Sequence, residues 1–364
     1  MQPSCAIQLK FALALVTVAG LTAGLSTGCR ESQSRSVTSK NASLVGAGST
    51  FSSVLFKKWF ETYHGLYPDV AVAYQPVGSG EGVRRFIGKG IKEEEQVDFG
   101  ASDAAMQDAE IAQVEHGAVM LPITAGGVVL AYNLPGFNSE LKLSREAYSG
   151  IFLGKITRWN DPRIVVTNPG VRLPPMEIVT VNRLDSSGTT YAFTNHLDAI
   201  SNEWHKRYGV SKLISSPGNA MRVAGNEGVA GRIQLTVGSI GYIEYQFSRQ
   251  LKLKIATLEN REGKFVRATE KAFVAGLSSA QLPDNLRAFV PDPSGVDSYP
   301  IVTYSWVLLR KSDPDMKKAK TLRELFTWCL LDGQRYSSEM GYVPLPESVA
   351  SKSLAALNGI GTIQ

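Results

Sequence analysis

The sequence lacks the usual signatures of metal binding and nucleotide binding. Its four histidines, at positions 64, 116, 196 and 205, match no HExxH or other zinc-ligand spacing. There is no GxxxxGK[ST] phosphate loop, and the turn GAGSTF at Gly46–Phe51 has Phe51 where the last glycine of GxGxxG belongs. These absences argue against a metalloenzyme and against a nucleotide-binding protein.

Cysteine is also scarce, with three residues in a chain of 364. Cys5 and Cys29 fall in the N-terminal segment, which leaves Cys329 alone in the apolar run Leu325–Leu331. One cysteine in the body of the chain cannot form an intrachain disulfide and gives no zinc or redox motif. We therefore expect Cys329 to be a buried helix residue.

The chain carries little excess charge of either sign. Its formal net charge is +5, with 20% charged and 43% hydrophobic residues, as is ordinary for a soluble globular protein. A weakly positive chain attracts anions but lacks the dense basic patch of a nucleic-acid-binding protein, so we expect no nucleic-acid partner. After the N-terminal region no apolar run reaches transmembrane length, and 364 residues suffice for two domains.

The N-terminal region has the pattern of an export signal. Lys10 precedes an apolar stretch, Phe11–Leu25, that is too short to span a bilayer comfortably. Small residues then lead to Cys29 as in a bacterial lipobox, although Ser26 stands where leucine is usual. We expect residues 1–29 to be a signal peptide with Cys29 lipidated; plain secretory cleavage nearby is the alternative. The polar, serine-rich residues 30–42 are expected to form a flexible tether.

Strand-like and helical patterns alternate after the tether. Apolar residues recur at helical spacing in residues 54–63 and 83–87. Strands are predicted at residues 70–74, 96–100, 128–132 and 177–181. This alternation favours α/β domains with largely parallel sheets. Two proline-marked apolar segments, 121–127 and 299–304, are candidates for carrying the chain between lobes.

Three turns rich in glycine, serine and threonine each follow a strand-like run and precede a helical one. They are Gly46–Phe51, Gly78–Gly82 and Asp185–Thr190. Glycine lets the backbone approach an ion closely, hydroxyls donate hydrogen bonds, and a helix N-terminus offers free N–H groups and partial positive charge. One such turn is usually only a helix cap. Three in one chain predict a binding site for a free oxyanion.

Two charged residues complete this candidate site. Arg183 lies just before the third turn, where its guanidinium could bond two oxygens of an oxyanion. Asp103 ends the segment Asp98–Asp103. A carboxylate beside an anion is favourable only if the ligand carries a proton, as phosphate does and sulfate at neutral pH does not. From the residues alone, a helix N-cap is the simpler explanation of Asp103.

Several longer motifs resemble a known family. In chain order they are GAGSTF, VGSGEGV, VDFGASD, LPITAGGVVLAYN, IFLGKITRWND, VNRLDSSGTTYAFTNHL, NEGVAGRI and GSIGYIEY. From about Ser43 to at least Ser348 the chain resembles the periplasmic phosphate-binding proteins of bacterial phosphate ABC transporters. The resemblance implies a type II periplasmic-binding-protein fold: two α/β lobes joined by a double crossover, with the ligand cleft between them. Lobe I would comprise residues 43–123 and 299–364, and lobe II residues 124–298.

The resemblance also implies a function and a site. The protein would be a monomer outside the cytoplasm that captures inorganic phosphate without reacting with it, uses no cofactor or metal, and delivers the ion to an ABC transporter permease. Asp185 would orient Arg183 through a salt bridge. The phosphate ligands would be Thr50, the Phe51 N–H, Ser79, Asp103, Arg183, Ser187, Gly188 and Thr189.

Two segments depart from the family pattern, and other functions stay open. Glu81 stands in the second turn where many relatives have a small residue, and we expect it to point outward. The acidic run Ile91–Gln96 is expected to be a surface loop. The alternative functions are a binding protein for sulfate, molybdate or arsenate, and an exported phosphatase. His196 follows the third turn, but we expect an ordinary helix residue there rather than a catalytic base.

Overall fold

Strands alternate with helices along the chain in this computed structural model, which describes residues 42–214, 220–279 and 282–361. Parallel strands separated by helices are the arrangement that the sequence pattern predicts. The strands are β1 (Ala42–Gly48), β2 (Val70–Gln75), β3 (Phe99–Ser102), β4 (Ala118–Tyr132), β5 (Lys142–Leu143), β6 (Val179–Arg183), β7 (Ala220–Val223), β8 (Ser239–Glu244), β9 (Lys254–Ile255), β10 (Thr257–Glu259), β11 (Phe265–Val266) and β12 (Val302–Arg310).

Helices connect most of these strands. They are α1 (Ser53–Leu66), α2 (Ser79–Ile87), α3 (Asp108–Ile111), α4 (Arg145–Phe152), α5 (Pro162–Val165), α6 (Gly188–Ile200), α7 (Asn202–Arg207), α8 (Gly225–Leu235), α9 (Tyr245–Gln250), α10 (Glu270–Ser278), α11 (Met316–Leu330), α12 (Arg335–Glu339) and α13 (Glu347–Asn358). Short 3-10 helices cover Glu93–Glu95 and Asp332–Gln334. Within the described ranges, no helix has both the length and the apolar character needed to cross a bilayer.

A nine-stranded sheet runs through the molecule in the order β2-β1-β3-β12-β4-β8-β6-β7, with β9 also paired to β4. Strand β4 joins its two parts, because it pairs with β12 from Ala118 to Gly127 and with β8 from Val128 to Tyr132. We call the part built on β2, β1, β3 and β12 the first lobe, and the part built on β8, β6 and β7 the second lobe.

Two glycines mark the place where β4 exchanges partners. A Cβ atom at Gly126 would lie 3.0 Å from Phe51 Cζ, and one at Gly127 would lie 2.1 Å from Phe273 Cε1. Aromatic rings therefore occupy the space that side chains at these two positions would need. The strand crosses between the lobes on two residues without side chains.

The outer strands of each lobe are parallel, whereas the crossing strands are not. β1 is parallel to β2 and β3, and β6 is parallel to β7 and β8. β4 and β12 are antiparallel to each other and to the strands that flank them. The expectation of largely parallel sheets is correct for the outer strands and wrong for these two. Because parallel neighbours end at the same edge of a sheet, the turns that follow β1, β2 and β3 lie together in the first lobe.

Helix α1 shows how the predicted pattern becomes a packed core. Its apolar residues recur every three or four positions, which places them on one face that packs on the sheet. Phe56 and Phe60 are buried there, with ring centroids 5.0 and 6.3 Å from Tyr74 of β2. Full burial of each such side chain stabilises the fold by about 1.5–3 kcal/mol. The helix predicted in residues 54–63 is confirmed.

The predicted strands differ from the observed ones in extent: those predicted at 70–74 and 177–181 are observed as Val70–Gln75 and Val179–Arg183. The strand predicted at 96–100 begins only at Phe99, because Asp98 turns its carboxylate to the Val45 N–H and to Lys318 Nζ, at 2.8 Å each. The strand predicted at 128–132 is the second part of the 15-residue β4. Pro122 does not interrupt β4, since it lies at a register shift in the pairing with β12.

The smaller expectations can be compared with the structure directly. Cys329 is fully buried on α11, as predicted. Glu81 bonds Arg84 and Arg85 of its own helix at 2.6–2.7 Å rather than entering the candidate site. Residues 1–41, with the expected signal peptide, Cys29 and most of the tether, lie outside the described residues; Ala42, the last residue assigned to the tether, opens β1.

His196 is a core residue of α6 with both ring nitrogens occupied. Its Nε2 lies 2.8 Å from Tyr148 Oη and its Nδ1 lies 2.7 Å from the Pro291 carbonyl oxygen. The carbonyl can only accept, so Nδ1 carries the proton and Nε2 accepts from the tyrosine. The ring is fully buried, as expected for an ordinary helix histidine. The bonds fix the loop that contains Pro291 against α4 and α6.

Lowering the pH should destabilise this cluster. Burial lowers the pKa of His196 to about 4, although the nearby Asp292 carboxylate opposes the shift and Arg145 adds to it. The unfolded chain takes up a proton near pH 6.5 and the folded one only near pH 4, so stability is lost as pH falls through this window. The loss amounts to about 2 kcal/mol between pH 7 and pH 5. Urea unfolding of wild type and His196→Gln at pH 7 and pH 5 isolates the contribution of His196 to this loss, since other buried carboxyls titrate equally in both proteins. Equal pH dependence in the two proteins would contradict the assignment.

Candidate anion-binding site

The three predicted turns all lead into helices at the boundary between the lobes. The first joins β1 to α1 and the second joins β2 to α2, both in the first lobe; the third joins β6 to α6 in the second lobe. Gly78 has a φ of 94°, a conformation that side chains other than glycine rarely adopt, and so allows the sharp entry into α2. The N-termini of these helices supply free N–H groups and partial positive charge to the space between the lobes.

Asp103 lies at the centre of the first-lobe side, at the end of β3. Its Oδ1 accepts hydrogen bonds from Ser49 Oγ at 2.6 Å and from Ser305 Oγ at 2.7 Å. Its Oδ2 has a longer contact of 3.3 Å with Ser79 Oγ, which in turn accepts from the Asp103 N–H at 3.2 Å. The residue is 2% exposed. Oδ1 is therefore fully engaged by the protein, and Oδ2 is the oxygen left to bond a ligand.

The environment of Asp103 adjusts its proton affinity. Burial raises its pKa to about 6, against the lowering effects of the Ser49 and Ser305 hydroxyls and of the Arg183 charge. The group is thus ionised at neutral pH but carries a proton in mildly acidic solution. The alternative role as a helix N-cap is wrong, because the next helix, α3, begins at Asp108 and has Gln107 at its N-cap.

Arg183, which is buried, and Asp185, which is partly buried, form an ion pair on the second-lobe side. The Arg183 Nε donates to Asp185 Oδ1 at 2.8 Å, and Nη2 bonds Oδ2. The Gly225 N–H also donates to Oδ1, at 3.0 Å. Burial raises the pKa of Asp185, but these bonds outweigh it and hold the pKa below its usual value. The pair leaves Nη1 of Arg183, which is 1% exposed, directed to Thr189 Oγ1 at 3.5 Å.

Gly188 brings the two lobes into direct contact. A Cβ atom at this position would lie 2.6 Å from Ser79 Oγ, 2.7 Å from Asp103 Cβ and 2.8 Å from the Asp103 nitrogen, all in the first lobe. Ser187 precedes it as the N-cap of α6, with its Oγ accepting from the Thr190 N–H at 3.0 Å and its own proton left to donate. The start of α6 therefore faces Asp103 across the cleft.

Thr50 and Phe51 contribute the first turn. Thr50 is 7% exposed, and its Oγ1 accepts from Asn226 Nδ2 of the second lobe at 2.9 Å. The Phe51 N–H, predicted as a ligand donor, donates to Ser49 Oγ at 2.9 Å in this structure. The Phe51 carbonyl accepts from Tyr342 Oη at 2.7 Å. A role for the Phe51 amide in binding an anion thus requires this bond to Ser49 to be shared or replaced.

Other bonds between the lobes surround this centre. The Gly80 N–H donates to the Ser186 carbonyl at 2.9 Å, and Arg287 Nη1 donates to the Met106 carbonyl at 3.1 Å. Lys212 Nζ lies 3.4 Å from Glu110 Oε1. The lobes are therefore closed on each other, which buries the centre from solvent.

The arrangement has the chemistry of an oxyanion receptor. It places many N–H and O–H donors and one guanidinium around one ionised carboxylate, as an oxyanion with one proton requires. In residues 42–214, 220–279 and 282–361, no group of three or more His, Cys, Asp or Glu side chains is placed to hold a metal ion.

Comparisons with known proteins agree with this geometry. A family model described as a PBP superfamily domain matches residues 33–332. The phosphate-binding protein PstS of Pasteurella multocida is 36% identical over 319 residues, which cover 87% of this chain and 90% of that protein. The phosphate-binding protein PstS of Haemophilus influenzae is 37% identical over 313 residues, covering 85% and 90%. The chain belongs to the PstS family.

Solved structures confirm the two-lobed fold of this PstS-family chain. A high affinity periplasmic phosphate-binding protein (PfluDING), solved with bound phosphate, matches with a TM-score of 0.72 at 22% identity, over 86% of this chain and 93% of that one. A phosphate-binding protein from Stenotrophomonas maltophilia matches with a TM-score of 0.70 at 17% identity, over the same shares of the two chains. At these identities the likeness establishes the fold alone.

Three residues of the candidate site are not predicted by the sequence pattern. Ser49 lies inside the first turn, but the prediction names its neighbour Thr50 as the ligand. Ser305 is a polar residue in the largely apolar, buried β12, and such a residue usually has a specific partner. Asn226 opens the motif NEGVAGRI just after β7, which is a fourth strand–turn–helix position. Each signal is visible in the sequence but is too common to single the residue out.

Proposed function

We propose that this PstS-family protein binds inorganic phosphate between its lobes, does not react with it, and delivers it to the permease of an ABC transporter. The observation that carries the proposal is Asp103. A buried, ionised acceptor surrounded by donors repels a fully deprotonated oxyanion and bonds one that keeps a proton. The names of the curated relatives, phosphate-binding protein PstS, support the same ligand.

The proposed ligand groups come from both lobes. Asp103 accepts the phosphate proton through Oδ2, and Arg183 supplies charge through Nη1 while Asp185 fixes its orientation. The remaining contacts are hydroxyl and backbone donors, from Thr50, Phe51 N–H, Ser79, Ser187, Gly188 N–H and Thr189. Because neither lobe alone supplies both the acceptor and the guanidinium, tight binding requires closure.

The proposed lobe boundaries are residues 43–123 with 299–364 for lobe I, and 124–298 for lobe II. Their support is approximate at the first crossing, because β4 changes its pairing partner from β12 to β8 between Gly127 and Val128, shortly after the proposed boundary at 123/124. At the second crossing the chain returns to the first lobe in β12, which begins at Val302. The lobes then rotate about the two crossing strands.

The proposed setting is outside the cytoplasm. Periplasmic phosphate-binding proteins with this fold and the export pattern of residues 1–29 support it. We further propose that Cys29 is lipidated and tethers a monomer to the membrane through residues 30–41, close to the permease. Mass spectrometry of the exported protein detects a diacylglyceryl group on Cys29; an unmodified new N-terminus elsewhere would overturn the anchor.

A binding protein for another oxyanion and an exported phosphatase are the remaining alternatives. Asp103 opposes sulfate and molybdate, which carry no proton at neutral pH, but it does not oppose arsenate. His196, the histidine next to the third turn, is locked between Tyr148 and the Pro291 carbonyl and so offers no general base.

Titration calorimetry tests the proposal on protein freed of bound anions. At pH 8 we expect phosphate to bind with one-to-one stoichiometry and at least 100-fold more tightly than sulfate. Sulfate affinity equal to that of phosphate would overturn the proposed ligand. Turnover of a chromogenic phosphate ester that a Ser187→Ala variant loses would instead favour the phosphatase.

A further inference from the structure

Asn226 is not among the predicted ligand residues, but its side chain bonds two of them. It lies in the first turn of α8 in the second lobe and is fully buried. Its Oδ1 accepts from the Glu244 N–H at 3.0 Å. An amide oxygen cannot donate, so this bond fixes the side chain with its NH₂ group on the opposite side. That NH₂ group faces two threonine hydroxyls of the proposed site.

The first hydroxyl belongs to Thr50 of the other lobe. Its Oγ1 accepts from the Asn226 N–H at 3.2 Å and from Nδ2 at 2.9 Å. A hydroxyl oxygen has two acceptor positions and one proton. With both acceptor positions filled by Asn226, Thr50 has only its proton left, and it must act as a donor.

The second hydroxyl belongs to Thr189 at the start of α6. Its Oγ1 accepts from Asn226 Nδ2 at 3.1 Å and has a longer contact with Arg183 Nη1 at 3.5 Å. In the part of the chain that the structure describes, neither threonine proton is donated to a protein acceptor. Both hydroxyls are therefore set in the same sense by one amide group.

We infer that Asn226 is a positioning residue that commits the hydroxyls of Thr50 and Thr189 to donate to the bound anion. The inference rests on the proposed function and adds a residue to it. A freely rotating hydroxyl can donate or accept, and it loses that freedom when the ligand binds. Because Asn226 donates to both hydroxyls, they are already oriented as donors when the anion binds. Because Thr50 belongs to the first lobe, its commitment is completed only when the lobes close.

A double-mutant cycle on phosphate affinity tests this inference. Asn226→Ala should weaken phosphate binding about 30-fold in the wild-type background. In a Thr50→Val or a Thr189→Val background the same change should cost about fivefold or less, because one of the hydroxyls through which Asn226 acts is gone. Calorimetry with inorganic phosphate at pH 8 measures all six proteins. Losses that agree within twofold in the three backgrounds would overturn the inference.

Two further measurements separate positioning from a structural role. Urea unfolding of the anion-free proteins gives the coupling free energy between Asn226→Ala and Thr50→Val in stability, and we expect it to be close to zero. A coupling in the free energy of unfolding without one in phosphate affinity would mean that Asn226 only stabilises the fold.

Should Asn226→Ala fail to fold, Asn226→Asp keeps the shape and the bond to the Glu244 N–H but accepts from the hydroxyls. The loss of phosphate affinity caused by Asn226→Asp should also be smaller in the Thr50→Val and Thr189→Val backgrounds than in wild type. The effect of the added negative charge, by contrast, should be the same in all three backgrounds. Wild-type protein that binds no phosphate would refute the proposed function before any variant is compared.

Discussion

Replacing Gly188 with alanine should weaken phosphate binding at least 100-fold, or by about 3 kcal/mol, while leaving the separate lobes intact. The new methyl group would lie 2.6–2.8 Å from Ser79 and Asp103 of the other lobe. Contacts this short to backbone and packed side-chain atoms cannot be relieved by rotating one bond, so the lobes would have to stay apart. The proposed acceptor and guanidinium could then no longer bond the same ion.

The stability of the anion-free protein should not fall in this variant. Gly188 is the first residue of α6, where alanine is a better helix former than glycine. Gly231→Ala is a matched control in α8 of the same lobe: among the described residues, a Cβ atom there would meet nothing within 4 Å beyond its own helix backbone and chain neighbours. Calorimetry and small-angle X-ray scattering, each with and without phosphate, measure affinity and closure. Gly188→Ala that binds within threefold of wild type would show that the closed arrangement is not the binding state.

Asp103→Asn should shift the preference between the two anions away from phosphate and toward sulfate. The Ser49 and Ser305 hydroxyls donate to Oδ1, so they will hold the amide oxygen of asparagine in that place. The NH₂ group then replaces Oδ2 and points a donor, rather than an acceptor, at the ligand. At 4 Å, removing one unit of repulsion is worth about 4 kcal/mol at an effective dielectric constant of 20. Sulfate affinity should therefore rise at least 100-fold, and phosphate affinity should fall.

The control for this change is Asp161→Asn. Asp161 is the N-cap of α5, where asparagine caps equally well, and it takes no part in the site. Calorimetry at pH 8 with both anions compares the three proteins. Since the pKa of Asp103 is raised to about 6, wild type should itself begin to bind sulfate as the pH falls below 6, and Asp103→Asn should not change over this range. Unchanged phosphate affinity with no sulfate binding in the variant would remove Asp103 from the site.

The parts of the site that depend on local chemistry could be predicted from the sequence. A turn of glycine, serine and threonine before a helix carries its own hydrogen-bonding capacity, so the three turns and the adjacent Arg183 could be marked as an oxyanion site from the residues alone. That prediction needs only the order of elements along the chain. The choice of Thr50, Ser79 and Gly188 within the turns, and of Asp185 as the partner of Arg183, comes from the family resemblance.

The parts that depend on distant residues could not be predicted in this way. Asp103 is held by Ser49, 54 positions away, and by Ser305, 202 positions away. Nothing near Asp103 in the sequence distinguishes such a carboxylate from a helix cap. Asn226 acts on Thr50 across 176 positions and between lobes. The full length of β4 could not be predicted for a related reason: its first part is a strand because β12 returns to pair with it.

Phe51 links the crossing strand β4 to the first binding turn, because its ring and its backbone lie in different parts of the first lobe. The ring fills the space over Gly126, where β4 leaves the first lobe, while the backbone of the same residue belongs to the turn beside Thr50. Tyr342 holds the carbonyl of that backbone from a third direction. Any bending of the crossing strand therefore presses on the binding turn through one rigid side chain. A substitution at Gly126 that stiffens or loosens the movement of the lobes would therefore also change the affinity for the anion. Lobe movement and anion affinity cannot be tuned independently at this position.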